Sequence, residues 1–282
     1  MTMYTNDAPG SFKPEHVTGL LIKPLQDESV AMQVANVLTL AGDQGGPHTL
    51  RVPIVASDAT AAWTAEGAEI ATSDAALDEV TADFHKLAGL SIISNELAAD
   101  TDPAAIGMVG QGLARDLARK VDAAFFGDLD APAPEGLGSL TTGTVDAGTE
   151  WANLDPFLAA AANAEKLGAT LTAFVAHPDD ALALAQIRES TGSNRNLLQP
   201  DPASVTGRVI NGRPLHTSPA VEQGTIWGVP QDRVVVGLRK DAEVTVDGSA
   251  YFSSDRTAIR AITRVAFAFP HAEAVQRISL TA

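Results

Sequence analysis

The chain has 282 residues, 45% of them hydrophobic and 19% charged, with a formal net charge of −16 and no cysteine. That mixture suits a folded protein with a sizeable core and argues against wholesale disorder. The acidity disfavours a nucleic-acid grip, which needs lysines and arginines against phosphates, and the missing cysteines exclude disulfides, thiolate zinc sites and a cysteine nucleophile.

The start, MTMYTNDAPGSFKPEH, lacks the basic opening and apolar stretch of a signal peptide. No run approaches the roughly 18 apolar residues of a membrane span. The expectation is a soluble, non-exported chain.

Residues 1 to about 30 read as an arm, because Pro9, Gly10, Pro14 and Pro24 interrupt any long regular element. LLIKPL within it reads as extended, ESVAMQVANVLTL as a short helix or a strand, and AGDQGGP as a turn. HTLRVPIV predicts a strand, with Pro53 marking it as an edge. AWTAEGAEIATSD, residues 62–74, has no helical period and weak alternation, and is read as one strand of a protruding arm. Val80, Ala82 and Phe84 then alternate with Thr81, Asp83 and His85, and LAGLSIIS continues that strand. Residues 50–94 are thus expected to form a long two-stranded excursion with its tip near SDAALD.

In DPAAIGMVGQGLARDLARKVDAAFFGD the apolar positions Ile106, Val109, Leu113, Leu117, Val121 and Phe125 recur in steps of three and four. That spacing puts one stripe on one helical face. Asp102 and Pro103 open the helix and Gly127 closes it; about 24 residues at ~1.5 Å per residue span roughly 36 Å. GDLDAPAPEGLGSLTTG reads as a connecting link and the clearest boundary in the chain.

The second half alternates. Asp155 is expected to cap a helix that starts with Pro156 and stops at Gly168. TLTAFVAH is a strand, and PDDALALAQIRES a helix with Asp179 and Asp180 at its positive end and Gly192 as its stop. NRNLLQPDPASVTGR is a loop. VINGRPLHTS, TIWGV, RVVVGL and AEVTVDGSAYF are strand-like, with Asp247-Gly248 as turn residues. In TAIRAITRVAFAF, Ile259, Ala261, Thr263, Val265, Phe267 and Phe269 share one face, and Arg260, Ile262, Arg264, Ala266 and Ala268 the other. AVQRISL is a closing strand.

No catalytic, cofactor-binding or metal-binding constellation emerges. The six histidines, His16, His48, His85, His177, His216 and His271, form no local metal pair. GxxxxGK[ST] and GxSxG are absent, and Gly136-Leu-Gly138 reads as a flexible connector rather than a dinucleotide fingerprint. Glu66 and Glu69 read as a solvated acidic face.

The order of these pieces resembles the major capsid proteins of tailed bacteriophages, of the Hong Kong 97 type. ESVAMQVA after Lys23-Pro24 resembles the N-arm leading into the shell domain. AAWTAEGAEIATSD and FHKLAGLSIISNELAAD resemble the E-loop, with a Trp before Glu-Gly and a strand ending in Ser-x-Glu-Leu. The long helix resembles the spine helix of the P-domain, and APEGLGSL the Gly-Leu turn after it. The segment from Leu154 to about Val244 resembles the A-domain, and TAIRAITRVAFAFPHAEAVQRI the returning P-domain strand.

The resemblance implies an α+β fold divided as residues 1–40 N-terminal arm, 41–94 E-loop region, 95–153 P-domain with spine helix, 154–245 A-domain and 246–282 return to the P-domain. It implies copies gathered as pentamers and hexamers into an icosahedral virion capsid in the bacterial host cytoplasm. Such a shell encloses DNA without specific nucleic-acid binding, needs neither membrane nor cofactor, and works with scaffolding, portal and decoration proteins. Trp63, Glu66, Gly67, Glu69 and Lys86 are the expected assembly contacts, with Trp63 as anchor.

In the namesake shell a lysine on the E-loop bonds to a neighbour's asparagine with help from a glutamate. Here 75–83 holds no lysine, no asparagine follows Asn211, and Ile262 stands at the matched glutamate position. No such cross-link is expected. Met1 almost abuts the arm, which implies either a separate scaffolding protein or a matured product. The competing readings are an encapsulin-type nanocompartment shell and an α/β enzyme whose site forms only in three dimensions.

Overall fold

The computed structural model describes residues 28–40, 49–67, 69–96, 104–190, 193–198, 207–239 and 243–281. The expected extended LLIKPL, the AGDQGGP turn, the helix openers Asp102 and Pro103, and 199–206 of the expected loop lie outside them.

The segment ESVAMQVANVLTL is helix and strand in succession. Helix α1 (Val30–Val34) is capped by the Ser29 side chain and runs into β1 (Asn36–Leu40). β2 (Thr49–Ser57) and β3 (Ala76–Asp83) pair antiparallel as a separate two-stranded ribbon, Thr49 opposite Asp83 and Val55 opposite Leu77. The excursion is therefore present, but its tip is wider than expected. SDAALD already enters β3, and 58–67 and 69–75 are irregular loop rather than strand. Alanine, threonine and acids offer that stretch no alternating apolar face to set a register.

The strand expected over 80–94 is also two strands. β3 ends at Asp83, and β4 (His85–Ser94) joins a different sheet along β12 (Arg256–Ala268), from His85–Val265 to Ser94–Arg256. This first sheet runs β1-β10-β12-β11, with β4 on the other side of β12. β10 (Val235–Arg239) and β11 (Glu243–Tyr251) follow one another along the same edge of β12. Asp247-Gly248 lies inside β11, where the register shifts before Tyr251, and makes no hairpin turn.

Helix α2 (Ala104–Phe126) packs on this sheet with the later part of the expected stripe, from Leu113 on, inward. Leu117, Val121 and Phe125 are buried, and Phe125 meets Phe267 edge-on at 5.2 Å. The link after it is not a flexible connector. A Cβ at Gly136 would lie 2.0 Å from the Ala124 carbonyl oxygen, so only glycine lets the chain cross the helix end there, and Leu137 is fully buried beneath it.

A second sheet has the order β5-β13-β9-β6-β8-β7. Its strands are β5 (Gly143–Asp146), β6 (Ala173–Ala176), β7 (Val209–Ile210), β8 (Arg213–Thr217), β9 (Thr225–Val229) and β13 (Gln276–Ser279). Helices α3 (Asp155–Lys166) and α4 (Pro178–Gln186) close a core around Phe157 and Phe174, whose rings meet edge-on at 5.2 Å. Asp155 is the first helical residue rather than the cap, since Asn153 Oδ1 already accepts its N–H at 3.1 Å. α4 ends at Gln186 rather than near Gly192, because Arg188 leaves to form a bridge with Asn196.

Candidate functional site

Four of the five expected contact residues, Trp63, Glu66, Gly67 and Glu69, lie together in the loop that closes the ribbon, and all are exposed. Trp63 is fully exposed and Ile70 and Leu77 nearly so. Gly67 adopts φ +79°, a left-handed turn that glycine takes without strain. The loop holds itself by little; Ser73 Oγ donates to the Thr60 carbonyl at 2.9 Å.

The base of the ribbon is anchored. Leu50 is buried against Val235, Ala266 and Ala268, with Val52, Val80, Ala82 and Phe84 packed around them. Arg51 reaches Glu79 across the ribbon at 3.4 Å. Among the described residues the arm is thus held at one end and exposed at the other.

Lys86 is not on the ribbon. It stands on β4 opposite Arg264, exposed, and lines a cavity of about 350 Å³ together with Leu87, Lys120, Val121 and Pro132. Ile262 lies between Ala88 and Glu243 in register, so the matched glutamate position sits in a row with an alanine beside it.

The sequence reading missed one buried carboxylate, Asp122, and the burial of a second, Asp180. Asp122 accepts from Ser29 Oγ at 2.6 Å, the Ala31 N–H at 3.0 Å and the Val30 N–H at 3.1 Å, tying the start of α1 to α2. Burial pushes its carboxyl above the usual carboxylate range despite those donors. The available signal was an acid one step from Val121 on the apolar side of an amphipathic helix. Asp180 stands in the first turn of its helix, as expected, and is also buried. It accepts from Trp151 Nε1 at 2.9 Å and the Gly224 N–H at 2.8 Å. Both hold backbone in place, and neither faces a cavity that gathers other reactive groups.

Among the described residues no group of three or more histidine, aspartate or glutamate side chains is placed to hold a metal ion. Among them, too, no helix is long and apolar enough to cross a membrane. What the geometry presents is an acidic arm with exposed apolar groups, built on two packed sheets.

The phage capsid family model matches residues 10–280. Among solved structures, a chain from Mycobacterium phage Adephagia superposes with TM-score 0.71 at 17% identity over 90% of each chain. One from Microbacterium phage Oxtober96 gives 0.72 at 16% identity, over 100% of this chain and 96% of that one. The capsid of an empty GTA particle gives 0.72 at 17% identity, over 100% and 95%. At these identities the likeness is one of fold. No curated protein matches the sequence.

Proposed function

The chain belongs to the phage capsid family, and from that premise we propose how it builds a shell. It is a major capsid protein with the Hong Kong 97-type α+β fold. Copies gather as pentamers and hexamers that close into the icosahedral head of a double-stranded DNA phage, assembled in the host cytoplasm. Scaffolding, portal and decoration proteins are the partners this reading assigns to it. The subunit divides into an arm (1–40), an E-loop region (41–94), a P-domain (95–153 with 246–282) and an A-domain (154–245); β4 ties the second of these to the third.

One observation carries the reading. The ribbon is anchored at its base yet leaves Trp63, Ile70 and Leu77 in water. Large apolar side chains grouped on an arm without its own core mark a contact made between molecules. Trp63, Glu66, Gly67, Glu69 and Lys86 are assigned to such contacts, with Trp63 as anchor. The shell chemistry is non-covalent, because Ile262 cannot serve as the glutamate that assists an isopeptide bond and 75–83 offers no lysine.

Electron microscopy of the expressed protein tests the assembly. Closed particles or capsomers are expected, and discrete small monomers that turn over a substrate would sink the proposal. Denaturing gels of purified particles should show only the single-chain band; covalent ladders would refute the non-covalent shell.

A further inference from the structure

Among the described residues β4 pairs with β12 on one side only, so the first sheet ends there in an open edge. Its odd-numbered residues turn toward α2: Leu87 joins the core around that helix, and Leu113 comes within 3.0 Å of where a Cβ on Gly89 would lie. Lys120, Val121 and Ala124 share one side of α2, being one, three and four positions apart. After the helix, residues 129–134 return against both elements. That return is pinned, because His85 Nδ1 donates to the Pro132 carbonyl at 2.8 Å and the Ala133 N–H to the Asp130 carbonyl at 3.2 Å.

These three segments border the cavity of about 350 Å³ that Lys86 lines. Its volume is roughly that of a dozen waters, yet Leu87, Val121, Ala124, Leu129, Pro132 and Val265 give it apolar walls. Leu129 is 46% exposed beside it. Two exposed cations, Lys86 and Lys120, line the same cavity against one acid, Asp130. Among the described residues no carboxylate lies within ion-pair distance of either lysine. In a chain of net charge −16, a surplus of cations around an apolar hollow is a local exception.

We propose that this cavity binds a small monocarboxylate with an unbranched apolar body, the chemistry of a medium-chain fatty acid. The alkyl chain lies between β4 and α2 against Leu87, Val121 and Leu129, and the carboxylate sits between Lys86 and Lys120. Lysine suits that position, since its stem packs on apolar surface while its ammonium stays in water. Charge and lining together select the class. A cation would face two lysines, and a phosphate would leave the apolar walls wet. The site is complete within one subunit and does not rest on the shell reading. Its ligand would tie the edge strand to the helix beneath the sheet, so occupancy should stabilise the subunit.

Calorimetry of the purified chain with octanoate tests the site. Octanoate is expected to bind at millimolar concentration or below and to raise the thermal midpoint. Octan-1-ol, which keeps the chain and lacks the charge, should bind about tenfold more weakly, and acetate not measurably. Lys86→Glu with Lys120→Glu should weaken octanoate by about tenfold or more while leaving octan-1-ol unchanged. Leu129→Ser should weaken both alike, by about fivefold. All three positions are exposed, so circular dichroism should report the parental fold for each variant. Octan-1-ol binding as tightly as octanoate, or a double variant with parental affinity for octanoate, would overturn the proposal, as would a parent that takes up no octanoate at millimolar concentration. Particle formation is scored in the same samples. Particles without octanoate binding sink the site and leave the shell reading standing, and binding without particles or capsomers does the reverse.

Discussion

The ribbon of β2 and β3 and the second sheet are made from similar material, and they meet opposite surroundings. β6 is Ala-Phe-Val-Ala with every residue buried; β3 opens Ala-Leu-Asp-Glu with every one of those residues exposed. Phe174 and Val175 favour a strand where Asp78 and Glu79 do not, yet both segments form one, so propensity does not decide which is buried. The difference lies in what covers them. Around β6 the cover comes from the same chain, in Phe157, Leu184 and Ile226. Around the far half of the ribbon the described residues supply none. Stability inside the subunit and stability of the assembly are thus written into different stretches.

Substitutions can break or sharpen that separation. Phe174→Ala, in the filled core, should cost the subunit about 3–5 kcal/mol through lost burial and the cavity left behind, read by chemical denaturation. Asp122→Ala should cost about 2–3 kcal/mol, because it strands the Ser29 hydroxyl and two N–H groups of α1 in a buried place. An effect below ~0.5 kcal/mol there would mean that α1 needs no tether to α2.

A smaller effect should appear with pH. Burial holds the His216 imidazole below its usual value of 6.5. The unfolded chain therefore takes up a proton before the folded one as pH falls through 6.5, and stability should decline below that pH. His216→Gln should flatten this part of the stability–pH curve, whereas an unchanged slope would assign it to other groups.

Least affected should be the subunit carrying Trp63→Ala, whose denaturation midpoint should stay within about 0.5 kcal/mol of the parent. Its particles, by contrast, should form poorly or lose heat resistance. A destabilised subunit with normal particles would reverse the comparison.

Strongly periodic segments were legible in the sequence. Leu117, Val121 and Phe125 recur at helical spacing because one face of α2 must meet a sheet, and β12 alternates for the same reason. Alternation alone could not foresee that Ala266 and Ala268, on the face away from α2, are buried as well; the ribbon base that covers them comes from the first third of the chain. The split between β3 and β4 was hidden because Phe84 falls in step with the alternation on either side, while the change of sheet is decided by a partner strand 160 or more residues away. At the candidate site, the Trp-Glu-Gly loop stood out by composition. Its surroundings did not, since an assembly contact is completed by another molecule. Asp122 was missed, and the burial of Asp180 unforeseen, because a carboxylate looks the same in sequence whether it faces water or holds buried donors.

The position of β13 has a bearing on how the protein is made. Residues 276–279 lie between β5 and β9, in the interior of the second sheet, and β12 joins β4 to both β10 and β11 in the first. On a ribosome that has released everything up to residue 255, neither sheet can close, because each still awaits a central strand. The ribbon, 49–83, is synthesised long before β12, so a nascent chain carries it into water before the sheet that anchors its base can close.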